Sequence, residues 1–308
     1  MNNKEAESLI SELFKSKVKK DPKIRNAFLF VHSDKLGIHL NLAEGVTQGS
    51  KSNPNQPYYI ASIGKLFTSI LIGILVEKGK ISYEDEIFNY VDDELLDNLH
   101  VYKGKDYSRE IKIKHLLNHT SGLHDYFSDK PKGSKPMLDI ILSESNRFWT
   151  PREAIIWSKE NLKSHFPPGE GFHYSDTGYL ILGLIIEKVT SRPFHNALLD
   201  YIFRPLKMDK SFLAYYSKPL KKIEFPIAEL YANDKNVTNY VSLSIDYAGG
   251  GIISTSDDLF KFMKALVNNE LIRGDTFQKM KDWAGFFNLF FIGIDYGYGL
   301  MSFKTIPI

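Results

Sequence analysis

The sequence predicts an α/β (α+β) fold in which antiparallel strands from the two ends of the chain form a sheet flanked by helices. Three observations lead to this prediction. The predicted elements run in the order strands, helices, strands; the sequence has no internal repeat; and no linker is long enough to separate independent domains. We therefore predict an α/β sheet subdomain from residues 1–60 and 245–308, with a mainly helical subdomain, residues 61–244, inserted into it.

The N-terminal region predicts one helix and a β-hairpin. Apolar residues recur at roughly helical spacing in the charged stretch before Asp21, and two apolar runs then flank the turn sequence Ser33-Asp34-Lys35. Residues 63–78 are predicted to form a buried helix, because apolar residues would occupy nearly every face of that helix. Gly79 stands where a C-cap glycine is expected.

Capping residues mark further helices. Thr150 before Pro151 is typical of a helix start, and Ser175 or Asp176 can cap a helix that Pro193 prevents from continuing. The later sequence returns to β character, with the strand-like run AGGGIIST, a helix at residues 257–267 and one or two strands in LFFIGIDYGYGLMSF.

Composition excludes several classes of protein. The 308 residues are 43% hydrophobic, which suits a globular protein, and a formal charge of +2 is too small to predict nucleic-acid or membrane-surface binding. The absence of cysteine excludes disulfides, cysteine-ligated metals and a thiol nucleophile. The most hydrophobic segment, residues 66–76, is too short to span a bilayer, and the N-terminus has no apolar signal-peptide core. As written, the chain is predicted to be cytoplasmic.

The pattern Ser-x-x-Lys at Ser62 and Lys65 is a candidate for nucleophilic catalysis. At the start of a helix the two side chains share a face, so the amine can reach the hydroxyl. A lysine can act as the base only if burial or neighbouring charge lowers its pKa. An N-cap serine with a lysine reaching to solvent explains the same four residues equally well. The pattern also occurs at Ser16, where surface lysines crowd it, and we ascribe that match to chance.

Longer stretches distinguish these readings. They are ASIGKLFTSILIGILVEKGKI, IKIKHLLNHTSGL and PPGEGFHYSDTGYLILGLIIEKVTSRPF, followed by AGGGIISTSDDLFKFMKAL. In this order they resemble the serine β-lactamase and penicillin-binding protein superfamily, particularly the branch that holds class C β-lactamases, D-alanyl-D-alanine carboxypeptidases and related esterases. The resemblance runs from about residue 27 to residue 300 and implies a β-lactamase-like fold.

The resemblance also implies residue roles. Ser62 would be the nucleophile, Lys65 its activating partner, and Tyr174 the general base that later protonates the leaving group. A neighbouring ammonium is expected to bring the pKa of the Tyr174 phenol down toward the working range. Asp176, at the position of the family's asparagine, and Gly250, in a glycine run beside the active-site wall, are candidate substrate-binding residues.

The implied function is a serine hydrolase resembling a D-alanyl-D-alanine carboxypeptidase, with an esterase or a class C-like β-lactamase as alternatives. Its substrates would be small peptides, esters or β-lactams, and no metal or organic cofactor is implied. A non-catalytic penicillin-binding or scaffold protein is the alternative of another class. By resemblance, an extracytoplasmic location is also open.

Two departures from the family pattern bear on activity. An ionised Asp176 cannot donate the amide N–H that an asparagine would offer to a substrate carbonyl. The family's closing strand carries Lys-Thr-Gly or His-x-Gly, whereas the nearest match here is Lys304-Thr305-Ile306, without the glycine. The chain is therefore either a fragment that lacks its last strands or an altered relative.

A metal site is a weak rival reading. His115 and His119 are four residues apart on a predicted helix, as in a zincin pair, but the glutamate of His-Glu-x-x-His is replaced by Leu116. We predict that both are structural histidines.

Overall fold

An N-terminal helix and a β-hairpin begin the fold, as predicted. The computed structural model describes residues 3–285 and 293–303. Helix α1 (Asn3–Lys20) precedes strand β1 (Asn26–Ser33), which pairs antiparallel with β2 (Ile38–Thr47) from the Asn26–Gly45 pair to the Ser33–Ile38 pair. The short strand β3 (Ser50–Lys51) pairs with the end of β2.

The hydrophobic helix lies where the sequence predicts it. Strand β4 (Tyr58–Tyr59) leads into a 3₁₀ turn (Ala61–Ile63) and helix α2 (Gly64–Glu77). Gly79 follows the helix with φ of 64°, and the N–H groups of Gly79 and Lys80 bond to the carbonyls of Val76 and Leu75. This is a Schellman motif, which glycine favours because it adopts positive φ without steric cost.

The middle of the chain is mainly helical. Thr150 caps α6 through a capping box with Glu153, and the Ser175 hydroxyl, rather than Asp176, caps α7 by accepting from the Gly178 N–H. The elements of this region are α3 (Asp93–Leu96), β5 (Val101–Tyr102), β6 (Lys105–Asp106), α4 (Ile113–Leu117), α5 (Met137–Ser143), α6 (Pro151–Asn161), α7 (Asp176–Thr190) and α8 (Phe194–Leu198), which continues as a π-helix (Leu199–Phe203).

The later part of the chain alternates short strands and helices. Its elements are β7 (Phe212–Leu213), β8 (Tyr231–Ala232), β9 (Lys235–Asn236), α9 (Tyr247–Gly250), β10 (Ile252–Ser254), α10 (Ser256–Val267), α11 (Gly274–Lys279), β11 (Ile294–Tyr296) and β12 (Met301–Phe303).

One strand prediction is partly wrong. The run AGGGIIST forms the one-turn helix α9 and only then the three-residue strand β10. The Gly251 N–H bonds to the Tyr247 carbonyl and closes that turn. The start of LFFIGIDYGYGLMSF lies outside the described residues, and its later part forms the hairpin β11–β12.

The predicted α/β class is confirmed. A three-stranded antiparallel sheet in the order β4-β10-β7 joins a strand from the N-terminal segment to one from the C-terminal segment. Among the described residues the remaining pairing is divided between the sheet β1-β2-β3 and three two-stranded hairpins. The division into residues 1–60 with 245–308 and residues 61–244 stays a prediction.

Helices α2 and α7 form the centre of the molecule. Most of their residues are buried, and both helices contact α9. The rings of Phe67 on α2 and Phe262 on α10 stack with centroids 3.8 Å apart, which adds directional packing to this core. The beginnings of α2 and α7 lie at the same end of this packed pair, and that end holds the candidate site. None of the helices among residues 3–285 and 293–303 is long and apolar enough to cross a bilayer.

Candidate active site

Ser62 lies in a strained turn at the mouth of a cleft. It occupies the 3₁₀ turn before α2, and the preceding Ala61 has φ of 46°, a region that costs energy for a residue with a Cβ. The first turn of α2 has no side-chain cap, so Ser62 is not a capping serine. Its hydroxyl accepts a hydrogen bond from Lys65 Nζ at 3.3 Å. The reading as an N-cap serine is therefore wrong.

Lys65 is a buried ammonium surrounded by oxygen atoms. Its side chain is 1% exposed, which excludes a lysine reaching to solvent. Besides Ser62 Oγ, Nζ donates to the Gly249 carbonyl at 2.8 Å and to the carboxylate of Asp176. Burial acts to lower the pKa of Lys65, but the Asp176 carboxylate and the Tyr174 phenol outweigh burial and hold that pKa above its ordinary value. Lys65 is therefore protonated at neutral pH, which removes it as the resting base.

Tyr174 completes the group of three. Its phenol hydrogen-bonds with Ser62 and Lys65, and its ring lies against His119 with centroids 4.2 Å apart. Burial raises the pKa of Tyr174, the charge of Lys65 opposes it, and the net direction is upward. The expectation that the ammonium brings the phenol's pKa down is therefore wrong in sign, because burial outweighs the neighbouring charge. At neutral pH the phenol is protonated at rest.

Asp176 and Gly250 line the same cleft. Asp176 is the first residue of α7, and its carboxylate faces Lys65 rather than capping its own helix. Gly250 packs against the turn that carries Ser62, since a Cβ on it would lie 3.1 Å from the Ala61 carbonyl carbon. A glycine is needed there because the backbones of α9 and the Ser62 turn approach so closely.

The cleft has a volume of about 580 Å³ and a mainly apolar wall with acidic groups. Asp125, Asp176 and Asp246 are the acidic residues among its described lining residues, and none of those residues is a lysine or arginine. Burial raises the pKa of Asp125 to about 6 and that of Asp246 to about 7, and the nearby Asp176 charge adds to both. The apolar wall includes Phe127, Leu138, Ile141, Leu142, Leu230 and Leu243.

Comparison with known proteins shows the family to which the chain belongs. Residues 25–305 match the family described as Beta-lactamase. The chain belongs to this family.

Individual relatives agree with the family assignment. Penicillin-binding protein 4* of Bacillus subtilis (strain 168) is 29% identical over 248 residues, covering 74% of this chain and 48% of that protein. The chain spans about half the length of the curated relatives it matches. A D-stereospecific amidohydrolase from Streptomyces sp. superposes with a TM-score of 0.77 at 25% identity, over 93% of this chain and 80% of that one. An octameric penicillin-binding protein homologue from Pyrococcus abyssi superposes with a TM-score of 0.73 at 25% identity, over 98% of this chain and 65% of that one.

The histidines of the rival metal reading have backbone partners. His115 Nδ1 accepts the Lys112 N–H at 3.1 Å, and His119 Nδ1 accepts the Ser175 N–H at 3.1 Å. Burial lowers the pKa of His115 to about 4 and holds that of His119 well below its ordinary value. Both are neutral, and each uses one ring nitrogen to hold local backbone.

Sequence reasoning missed Asp125, Asp246 and His119 as parts of the site. His119 supports the Tyr174 ring, and the two aspartates line the cleft. The segment SGLHDYFSD, which holds Asp125, has no periodic pattern or spacing that could have distinguished this aspartate from the one four residues later. The third family element, compared above with Lys304-Thr305-Ile306, lies outside the described residues.

Proposed function

We propose that the chain is a serine hydrolase that forms an acyl-enzyme at Ser62. The observation that carries this proposal is the buried Lys65 ammonium, which hydrogen-bonds to Ser62 Oγ at the mouth of a cleft while Tyr174 contacts both. Membership of the Beta-lactamase family supports the same reaction class.

The reaction proceeds by two acyl transfers. The Tyr174 phenolate takes the proton of Ser62 as Oγ bonds to the substrate carbonyl carbon, and the resulting phenol returns that proton to the leaving amine or alkoxide as the carbon–leaving-group bond breaks. Water then attacks the carbonyl carbon of the acyl-enzyme ester. The Tyr174 phenolate takes the water proton and passes it to Ser62 Oγ as the ester bond breaks, which releases Ser62. Lys65 remains charged and stabilises the phenolate and the tetrahedral oxyanion electrostatically. Since burial raises the pKa of Tyr174, the phenolate is a minority species, and acylation is expected to accelerate as pH rises above neutrality.

The substrates we propose are small amides and esters, with D-alanyl peptides as the class implied by the resemblance. The charge of the cleft favours one subset of these. A carboxypeptidase must bind a terminal carboxylate, whereas the described lining residues offer carboxylates and apolar surface. D-aminoacyl amides with a free amino group fit this lining better, and one structural neighbour is a D-stereospecific amidohydrolase.

The test combines intact mass with turnover. After incubation with a penicillin or a fluorophosphonate, we expect one adduct on the wild type and on Ser16→Ala, which changes the surface copy of the same tetrapeptide, and none on Ser62→Ala. Rates are then compared for a D-alanyl-D-alanine peptide, D-phenylalanine amide, a p-nitrophenyl ester and nitrocefin. Full turnover by Ser62→Ala would refute the proposal. A stable adduct without turnover of any substrate would favour the non-catalytic penicillin-binding alternative.

A further inference from the structure

Three side chains other than Ser62, Lys65 and Tyr174 lie close together next to Asp125, a residue that lines the cleft. They are Asp129, His165 and His173, and their potential ligand atoms all lie within 4.8 Å of one another. His165 Nε2 is 2.9 Å from Asp129 Oδ2, and His173 Nε2 is 3.2 Å from each oxygen of the same carboxylate. The two imidazole rings stack with centroids 3.5 Å apart.

The separations between Asp129 and the two histidines suit a tetrahedral metal ion, and the stacked rings must turn apart to bind it, since two imidazoles on one tetrahedral zinc have centroids about 5 Å apart. Zinc bonds to nitrogen and oxygen are about 2.0–2.1 Å, so neighbouring ligand atoms in a tetrahedron are about 3.3 Å apart. The Asp129 to histidine distances agree with that spacing. The His165 side chain is 35% exposed, whereas Asp129 and His173 are more enclosed, so an ion can enter from the His165 side.

A hydrogen-bonded cluster without an ion is the alternative to a bound cation at this place. One carboxylate faces two stacked imidazoles, and protonating both rings would place two positive charges in direct contact. Two neutral rings that each donate Nε2–H to Asp129 satisfy the cluster without an ion, and the titration described below distinguishes that state from a bound cation. A divalent cation accepts a lone pair from each ring and a negative charge from Asp129, which satisfies all three groups together.

Backbone hydrogen bonds hold all three ligand residues in place before any ion arrives. The His165 N–H bonds to the Gly122 carbonyl and the His173 N–H to the His119 carbonyl, each at 2.9 Å. The Asp129 N–H bonds to the Asp125 carbonyl at 3.1 Å. Such preorganisation lowers the cost of assembling a three-ligand site from distant parts of the chain.

We propose that Asp129, His165 and His173 form a zinc-binding site that joins the segment after Tyr126 to the segment before Tyr174. Three protein ligands leave a fourth position for water. The site has a direct connection to the cleft. Asp129 Oδ2 accepts the Asp125 N–H at 2.8 Å, Asp125 Oδ1 accepts the Asp176 N–H at 2.9 Å, and His173 directly precedes Tyr174. The bound ion therefore stabilises both walls that hold Tyr174 and Asp176, and it does not depend on the chemistry at Ser62.

The experiment measures metal binding without using activity. The full chain, prepared without a polyhistidine tag and treated with a chelator, is titrated with zinc by calorimetry and with cobalt(II) by visible spectroscopy. We expect one zinc per chain, a rise in Tm on adding zinc, and the visible bands of tetrahedral cobalt. No saturable zinc binding by the wild type, or cobalt bands of a fully hydrated ion only, would overturn the proposal.

Two variants and one control assign the site. His165→Ala, whose side chain is partly exposed, and Asp129→Asn, which keeps an oxygen for the Asp125 N–H, should each weaken zinc binding by at least about tenfold. His195→Ala, which changes a histidine outside the cluster, should bind like the wild type. Unchanged affinity in both cluster variants would refute the assignment, whereas loss of binding with an unchanged circular dichroism spectrum and metal-free Tm supports it.

Discussion

Lys65 shows how neighbouring polar groups reverse the effect of burial on the pKa of a lysine. In an apolar core a lysine would become neutral, but the Asp176 carboxylate and the Gly249 carbonyl compensate its charge. The same burial acts on the Tyr174 phenol, where the charge of Lys65 is not enough to offset it. Charge in this site is therefore held on the lysine, and the proton rests on the tyrosine.

The first prediction concerns Asp176→Asn. Removing the carboxylate removes the main charge that holds the pKa of Lys65 up, so that pKa should fall by at least about one unit. Heteronuclear NMR of the lysine side chains across a pH series measures it directly. Asp200→Asn, at a carboxylate paired with the exposed Arg192 and Arg204, is the control and should leave Lys65 unchanged. An unaltered Lys65 titration in Asp176→Asn would contradict this account.

The second prediction concerns Asp246→Asn and the pH dependence of stability. Asp246 titrates at about 7 in the folded protein but at about 4 when unfolded, so between these values only the folded state keeps the proton. The free energy of unfolding therefore falls as pH rises through this window. Asparagine carries no charge, so the variant should match the wild type near pH 4 and exceed it by about 4 kcal/mol near pH 8, at 1.36 kcal/mol for each of about three pKa units.

Urea unfolding at a series of pH values tests this second prediction. Asp34→Asn, on an exposed side chain, provides the control and should leave the pH profile as it is. A variant that loses as much stability between pH 4 and pH 8 as the wild type would show that the Asp246 proton is not involved.

At the scale of elements, the site depends on the close packing of α7 against α9. Gly183 on α7 faces Tyr247 and Ala248, and a Cβ there would lie 2.5 Å from the Tyr247 ring. Since α9 also supplies the Gly249 carbonyl that binds Lys65, any separation of the two helices changes the site. Glycine has a low helix propensity, but at position 183 the close packing of α7 against α9 that it permits offsets this cost.

The third prediction compares two glycines of α7. Gly183→Ala should lower the free energy of unfolding by about 1–3 kcal/mol because the new methyl group overpacks the contact. Gly178→Ala, where the nearest atom to the new Cβ lies at 3.5 Å, should cost nothing or stabilise slightly. Thermal or urea unfolding distinguishes the two, and an equal effect of both substitutions would refute the role of the α7–α9 contact.

At the scale of the whole molecule, burial is concentrated around α2 and α7. One large apolar cluster holds most of both helices, whereas α1 has no buried residue and β1 is only half-buried along its length. The N-terminal helix and hairpin therefore contribute much less buried apolar surface than the helical centre.

The fourth prediction follows from this distribution. Amide hydrogens of α2 and α7 should exchange only through global unfolding, while those of α1 and β1 should exchange through smaller openings and much earlier. Hydrogen–deuterium exchange followed by mass spectrometry measures this order. Equal protection of α1 and α2 would contradict the inference.

Sequence alone determined the features that depend on local patterns. The buried helix, its glycine stop at Gly79 and the cap at Thr150 follow from periodicity and backbone chemistry within a few residues, as does a cap at Ser175 or Asp176, between which the structure chose Ser175. The family was also readable, because ordered stretches around Ser62 and Tyr174 carry it. These features need no knowledge of which distant residues meet.

Only the tertiary structure decided the charges of the site. Asp176 is 111 residues from Lys65, and Asp129 is 36 and 44 residues from its two histidines, so no spacing rule could pair them. The pKa of a buried group depends on burial and on every nearby charge, which folding sets by bringing separate segments together. For that reason the sequence indicated which residues could act, while the fold determined that Lys65 keeps its proton and that Tyr174 does too.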